Sequence, residues 1–228
     1  MMGILLIGAS GLAREVLGAG LEDVTGVLDD DPAAHLAHCG GVVVRGGLDE
    51  AVRRPQDQLL ICIGPGRARR DVVRRLADAG VGPERFATFV APSARIGRGV
   101  AIGRGSILLD GVVVTADARV GAHVVVMPHG TITHDDTLAD HVTLAAGVSL
   151  GGGVAVGEAA YIGMNASVHP GVSIGHDATV GMGAAVLRDV PDGETWVGVP
   201  ARPLRSAVRA MPARVDPTLS TSIREVFA

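Results

Sequence analysis

The stretch VTLAAGVSLGGGVAVGEAAYIG, residues 142–163, places an aliphatic side chain at every sixth position. Leu144, Leu150, Val156 and Ile162 mark this period. Neither the 3.6-residue period of an α-helix nor the two-residue alternation of a strand with ordinary turns produces such a spacing. The stretch therefore predicts a hexapeptide repeat.

The same register extends in both directions without a slip. A branched aliphatic residue occupies sixteen successive positions: Ile96, Ile102, Leu108, Val114, Val120, Val126, Ile132, Leu138, Leu144, Leu150, Val156, Ile162, Val168, Ile174, Val180 and Val186. The residue two positions before each is small or Val, except Asp136. Such repeats are typical of a parallel β-helix, whose short strands wind round a triangular prism with the aliphatic side chains stacked inside. Three hexads form a coil of about 18 residues, so the run predicts about five coils.

Residues 1–90 carry a different pattern, in which apolar strands alternate with amphipathic helices. The predicted strands are GILLIG (3–8), VTGVLDD (24–30) and LLICIG (59–64), and the predicted helices are SGLAREVLGAGL (10–21) and RARRDVVRRLADAG (67–80). This alternation predicts an α/β, Rossmann-like domain with a small parallel sheet. We place the β-helix at residues 91–205 and a tail at 206–228, which loses the period and is expected to form a short helix or to fray.

Composition excludes several classes of protein. A net charge of -4 disfavours a nucleic-acid-binding surface, which needs a concentrated basic face. Cys39 and Cys62 are too few for a disulfide framework, which favours a reducing compartment. The first residues lack a charged signal-peptide region, and no apolar run reaches the ~20 residues needed to span a bilayer. We therefore expect a cytoplasmic protein without membrane insertion.

Loops at the ends of the predicted strands could bind a nucleotide. Gly8 and Gly11 permit a tight turn that points helix N–H groups at an anion, and Asp29 and Asp30 lie where an acid binds ribose in nucleotide-binding βαβ units. Gly64 ends the third strand at the same sheet edge. The alternative is that these glycines only turn the chain.

A polar cluster, His134, Asp135 and Asp136, interrupts the apolar β-helix. In hexad register His134 lies at a corner, where a neutral imidazole can take a proton from an amine or hydroxyl while Asp135 orients the ring. The alternative is a solvated corner histidine with two turn aspartates. Asp136 favours a functional cluster, because an acid at a small, apolar position costs stability unless it is paired or exposed.

A zinc site is the weakest alternative. His129 and His134 are five residues apart, but zinc sites of the β-helical carbonic anhydrase type need a third, upstream histidine, and none occurs between His38 and His123. His123 and His141 should stack on adjacent coils, at corners where we expect solvent exposure. No metal site is therefore predicted.

Taken together, the motifs resemble the NeuD-like sugar acyltransferases, which include sialic acid O-acetyltransferases and PglD-type N-acetyltransferases acting on UDP-4-amino sugars. The motifs are GASGLAREVL (8–17), GVLDDD (26–31), CIGPGRARR (62–70), VAPSARIG (90–97), ITHDDTLADHVTLAAGVSLGGGVAVGEAAYIGMNASV (132–168) and VGVPARPL (197–204). The resemblance implies a left-handed β-helix, a homotrimer, acetyl-CoA in grooves between β-helices, and an acceptor bound by the N-terminal domain.

The same resemblance implies roles for individual residues. His134 corresponds to the general base and Asp135 to the acid beside it. The acceptor pocket corresponds to Ser10, Gly11, Leu12, Asp29, Asp30 and Gly64, and the acetyl-CoA groove to Thr143, Gly152, Met164 and Met182. Leu12 and Thr143 stand where the family usually has histidine, and IGPG replaces the more usual IGNN.

The sequence thus predicts an acetyl-CoA-dependent acyltransferase that modifies an amine or hydroxyl of a sugar, with a nucleotide-linked amino sugar favoured. The choice between N- and O-transfer stays open, because one base serves either nucleophile. The alternative is a non-catalytic trimeric β-helix that binds a nucleotide or organises a biosynthetic complex.

Overall fold

The computed structural model describes residues 3–204. The tail predicted at 206–228 lies outside the described residues.

The N-terminal part is a five-stranded sheet flanked by helices. In chain order its elements are β1 (Ile4–Ile7), α1 (Gly11–Gly18), β2 (Val24–Leu28), a 3-10 helix (Pro32–Ala34), β3 (His38–Cys39), β4 (Val42–Gly46), α2 (Glu50–Arg53), β5 (Gln58–Ile61), α3 (Gly66–Asp78) and a 3-10 helix (Pro83–Arg85). The strand order is β3-β4-β2-β1-β5, and all neighbours are parallel except β3 and β4. The predicted strands and helices are present, and β3, β4, α2 and the two 3-10 helices are additional.

The remainder is a parallel β-helix. Its strands are β6 (Phe89–Val90), β7 (Arg95–Ile96), β8 (Ala101–Ile102), β9 (Ile107–Leu108), β10 (Val113–Val114), β11 (Arg119–Val120), β12 (Val125–Val126), β13 (Thr131–Ile132), β14 (Thr137–Leu138), β15 (Thr143–Leu144), β16 (Ser149–Leu150), β17 (Ala155–Val156), β18 (Tyr161–Ile162), β19 (Ser167–Val168), β20 (Ser173–Ile174), β21 (Thr179–Val180), β22 (Ala185–Val186), β23 (Thr195–Val197) and β24 (Arg202–Pro203). Every third strand stacks on one face, so that β10 pairs with both β7 and β13. The predicted β-helix is therefore confirmed, and the repeats fit the left-handed form.

The aliphatic positions form the core of the prism. From Leu108 to Val186 every one of them is buried. Ile96 lies in the first coil, which no earlier coil of residues 3–204 covers, and it is 37% exposed. This continuous ladder supplies the hydrophobic stabilisation of the β-helix.

Three columns of turns form the corners of the prism. The His134 corner comprises residues 116–117, 134–135 and 152–153; the His141 corner comprises 122–123, 140–141 and 158–159; the Met164 corner comprises 146–147, 164–165 and 182–183. The second residue of each turn has a positive φ, for example 63° at Asp135 and 55° at His123. Asp, Asn, His and Gly adopt this conformation more readily than other residues.

The N-terminal domain packs on the face that carries β9 and β12. Leu12 of α1 belongs to one apolar cluster with Ile107, Leu109 and Val125 of the β-helix. The longest helix within residues 3–204 is α3, and no helix there is long and apolar enough to cross a membrane.

Candidate active site

His134 and Asp135 form an exposed pair at their corner. His134 Nδ1 lies 2.8 Å from Asp135 Oδ2, and the two side chains are 68% and 69% exposed. An ionised carboxylate can only accept, so the neutral ring donates from Nδ1 and leaves its lone pair on Nε2. The hydrogen bond to Asp135 is the main reason that the pKa of His134 lies above its usual value. The pair can therefore present a free, moderately basic nitrogen to a ligand at the surface.

Gly152 lies one coil after His134 and in contact with its ring. A Cβ at position 152 would lie 2.5 Å from His134 Nε2, a distance that real Cβ atoms essentially never show. The absence of a side chain at Gly152 therefore makes space for the imidazole. The structure thus brings together three of the predicted site residues, His134, Asp135 and Gly152.

Asp136 is fully buried beneath this corner. One carboxylate oxygen accepts from Thr133 N at 2.7 Å and the other from Val154 N at 2.8 Å. Burial raises the pKa of Asp136, while the two backbone donors act in the opposite direction. The sequence predicts that this acid is either paired or exposed. It is buried, and two backbone N–H groups pair with its carboxylate.

The other residues expected in the acetyl-CoA groove lie away from the His134 corner. Met164 and Met182 are exposed side chains of the Met164 corner, a different edge of the prism from His134. The prediction that Thr143 lines the acetyl-CoA groove is corrected by its burial. Thr143 is 3% exposed, and its hydroxyl donates to Gly64 O at 2.8 Å and accepts from Arg69 at 3.0 Å. Packing of the N-terminal domain covers Thr143, so its hydroxyl is not available to a thioester.

The loops at the carboxyl edge of the N-terminal sheet meet as predicted. Gly8, Asp29, Asp30 and Ile63 line one crevice. Asp29 accepts from Ala9 N at 2.7 Å, which fixes the turn after β1. This edge is where open α/β sheets bind ligands.

Several of the predicted acceptor contacts are engaged with the protein. Asp30 accepts from Leu48 N and from Arg75, both at 2.8 Å, and these two bonds lower the pKa of its carboxyl group. Ser10 caps α1, accepting from Ala13 N at 3.3 Å and donating to Cys62 O at 2.6 Å, and the neighbouring Gly11 is exposed.

The prediction that Leu12 lines the acceptor pocket is also corrected. It is 6% exposed and belongs to the apolar cluster between α1 and the β-helix, so it does not line an acceptor pocket. The family resemblance implied an acceptor contact at this position, but the inward face of α1 takes an apolar side chain here. Gly64 lies beside the same interface, where its carbonyl oxygen accepts from Thr143 and Arg69.

The expected exposure of His123 and His141 is wrong. The two residues are 6% and 7% exposed, and their rings stack 5.2 Å apart with an angle of 6° between the planes. Phe86 meets His123 edge-on at 4.6 Å. Within residues 3–204 neither Nδ1 atom has a hydrogen-bond partner. Burial lowers the pKa of His123 to about 4 and also lowers that of His141, so both rings are neutral at physiological pH.

Arg69 of α3 explains this burial and was not predicted. It is fully buried and donates only to uncharged oxygens, among them His123 O at 2.9 Å and His141 O at 2.7 Å. Gly66, at the start of α3, approaches His141 O so closely that a Cβ would overlap it. Five arginines lie in this helix, but only Arg69 falls on its apolar stripe, four residues before Val73 and seven before Leu76. This helical spacing is the sequence signal that separates Arg69 from the other four.

Comparisons with known proteins agree with the β-helical fold. Residues 153–188 match the model of the family described as hexapeptide repeat of succinyl-transferase. No curated protein sequence matches at a significant level.

Solved structures match nearly the whole chain. A histidine-to-asparagine variant of perosamine N-acetyltransferase from Caulobacter crescentus, in complex with CoA and GDP-perosamine, is 33% identical with a TM-score of 0.82, over 90% of this chain and 98% of that one. The acetyltransferase domain of PglB from Neisseria gonorrhoeae is 28% identical with a TM-score of 0.80, over 90% of this chain and 100% of that one. WeeI from Acinetobacter baumannii is 25% identical with a TM-score of 0.63, over 90% and 100%.

Proposed function

The chain belongs to the NeuD-like family of sugar acyltransferases, and we propose that it transfers an acetyl group from acetyl-CoA to the amino group of a nucleotide-linked amino sugar, with His134 as general base. The observation that carries this proposal is the exposed His134–Asp135 pair, in which Nδ1 is hydrogen-bonded to Asp135 and Nε2 lies beside Gly152. The similar Caulobacter enzyme was solved with CoA and GDP-perosamine, and the Neisseria domain with acetyl-CoA.

In the proposed reaction the acceptor nitrogen attacks the carbonyl carbon of the thioester. His134 Nε2 takes a proton from that nitrogen, the C–S bond breaks, and the CoA thiolate leaves. Asp135 keeps the ring in the required tautomer and stabilises the imidazolium that forms. The protonated His134 then returns its proton to the thiolate, so the reaction needs no covalent enzyme intermediate.

We further propose that the donor groove is completed between copies of this chain in a homotrimer. Met164 and Met182 lie on a different edge from His134, so a groove containing all three needs edges from two neighbouring chains. The acceptor nucleotide is proposed to occupy the crevice of a Rossmann-like N-terminal domain at Gly8, Asp29 and Asp30. These proposals assign residues 1–90 to acceptor binding and 91–205 to acetyl transfer, in the cytoplasm.

Ligand-induced stabilisation and turnover test the proposed function. Acetyl-CoA, UDP and GDP are added separately, and a ligand at 100 times its Kd should add about 2.7 kcal/mol to the free energy of unfolding. Release of the CoA thiol is then followed with nucleotide-linked amino sugars and with their hydroxyl analogues. Release with the amino sugar supports the proposal, and release with the hydroxyl analogue alone would replace it with O-transfer. Stabilisation by a nucleotide without any response to acetyl-CoA would favour the non-catalytic alternative.

A further inference from the structure

The ladder of backbone hydrogen bonds between successive coils is interrupted close to Asp136. Each neighbouring pair of strands from β7 to β22 on the prism faces is paired at two residues, except β13 and β16, which are paired only at Thr131 and Ser149. The missing step falls next to Thr133, directly before His134. In the coil before, the equivalent Thr115 N donates to Ile132 O at 3.0 Å. The backbone ladder is therefore opened at the turn that carries the proposed base.

The Asp136 carboxylate replaces the lost backbone bond. Thr133 N donates to Asp136 Oδ2 at 2.7 Å, while the hydroxyl of Thr133 donates to Leu150 O at 3.1 Å. The second oxygen, Oδ1, accepts from Val154 N at 2.8 Å, one coil further on. A single buried side chain thus joins the turn of His134 to the turn of Gly152.

These two turns form the two sides of the proposed site. His134 lies on one turn and its ring packs on Gly152 of the other. Hydrogen bonds to an ionised acceptor are short and about twice as strong as neutral ones, so the carboxylate holds the turns at a fixed separation. A carboxylate has two acceptor oxygens, and here each of them receives one of the two N–H donors.

We propose that Asp136 is a positioning residue for acetyl transfer, whose buried carboxylate fixes the turn of His134 against the turn of Gly152. This inference rests on the proposed function and adds a residue to its site. The charged groups that act on His134 within residues 3–204 are Asp135 and Asp136. Asp136 therefore also contributes negative charge that favours the protonated ring.

Asp136→Asn tests this role with an isosteric side chain. Its amide group can receive one of the two backbone donors, but its NH2 group faces the other. We expect kcat to fall about 10- to 100-fold, because small displacements of a catalytic group have effects of that order. The KM for acetyl-CoA should change less than about threefold, and the acid limb of the pH–rate profile should move to lower pH.

Ser106→Ala is the matched control. Ser106 occupies the same position of its hexad, and its hydroxyl accepts from Val124 N at 3.0 Å and donates to Gly121 O at 2.8 Å. It lies away from the His134 corner, so its loss should lower the melting temperature and leave kcat unchanged. If Asp136→Asn does not fold, Asp136→Ser replaces it, since serine is accommodated at the equivalent position 106.

His134→Ala separates failure of this inference from failure of the proposed function. An inactive His134→Ala with a folded Asp136 variant that keeps the wild-type kcat and pH profile would overturn the positioning role alone. A fully active His134→Ala would overturn the proposed base and the positioning role together. A lowered kcat in the Asp136 variant, with normal turnover in Ser106→Ala, supports the inference.

Discussion

The His134 corner and the His141 corner contain the same residue type in equivalent turns, yet their chemistry is opposite. His134 is 68% exposed and hydrogen-bonded to Asp135, which raises its pKa. His123 and His141 are buried under α3 and beside the Arg69 guanidinium, which lowers their pKa values, and among residues 3–204 neither Nδ1 has a hydrogen-bond partner. His134 is the first residue of its turn, whereas His123 and His141 are the second residues of theirs. The difference teaches that the place of a histidine in its turn and the element that packs on that turn together decide whether the ring can exchange protons with a ligand.

Loss of His134 should have the largest effect. Removal of a general base costs about 100- to 10,000-fold in rate, so we expect His134→Ala to reduce kcat/KM for acetyl transfer about 1,000-fold. Stabilisation by acetyl-CoA should persist, which serves as the control for folding and donor binding. If His134→Ala kept more than a tenth of the wild-type kcat/KM, His134 would not be the general base, and the proposed functional difference between the two corners would be wrong.

Loss of Arg69 should destabilise the other corner. Arg69→Met leaves several buried carbonyl oxygens without a donor, and each costs about 1–3 kcal/mol, so we expect a loss of about 3 kcal/mol in urea unfolding. Arg67→Met is the control, because Arg67 is 60% exposed and pairs with Asp177 at 2.9 Å at the surface. That change should cost less than about 1 kcal/mol. Equal effects of the two variants would show that burial of Arg69 is not what holds α3 on the β-helix.

Acid should weaken the His141 corner before it affects the prism. Because the pKa of His123 is lowered to about 4, the unfolded chain takes up a proton between pH 6.5 and 4 that the folded chain does not. This contribution of His123 to stability is fully present well above pH 6.5 and should fall by about 2.5 kcal/mol by pH 4.5. Urea unfolding of the wild type and His123→Phe at several pH values measures it. Parallel curves for the two proteins would contradict the buried, neutral ring.

Filling the space at Gly152 should have the smallest effect. The Cβ of Gly152→Ala would overlap the ring of His134 and displace it, so we expect kcat to fall about tenfold. In the His134→Ala background the same change should leave the melting temperature unaltered, since the obstructing ring is gone. A wild-type kcat in Gly152→Ala would show that the ring has freedom to move.

The β-helix was predictable because its information is local and repeated. Each hexad from Ile96 to Val186 carries the same pattern, so sixteen successive positions fix a single register. The exception in the pattern, Asp136, was equally visible. The two backbone groups that donate to Asp136 could not be predicted. They depend on which residues of the next coil lie beside Asp136 and on the loss of one backbone hydrogen bond between coils.

What could not be predicted depends on how the two halves of the chain pack. Burial of His123 and His141 follows from α3, more than 50 residues earlier, through Arg69. Leu12 and Thr143 were expected in two different binding sites, yet both lie at contacts between the N-terminal domain and the β-helix. Sequence spacing locates a residue on its own element, but not the element that covers it.

The pH dependence of kcat/KM for the wild type and Asp135→Asn tests most directly whether the His134–Asp135 pair is the base. The hydrogen bond to Asp135 is the largest cause of the raised pKa of His134, and the base must be neutral to act. We predict that wild-type activity rises through an apparent pKa above 6.5 and that Asp135→Asn moves this limb to lower pH. The amino group of the acceptor titrates equally in both enzymes, so the difference isolates the pair. An identical acid limb in the two enzymes would contradict the account.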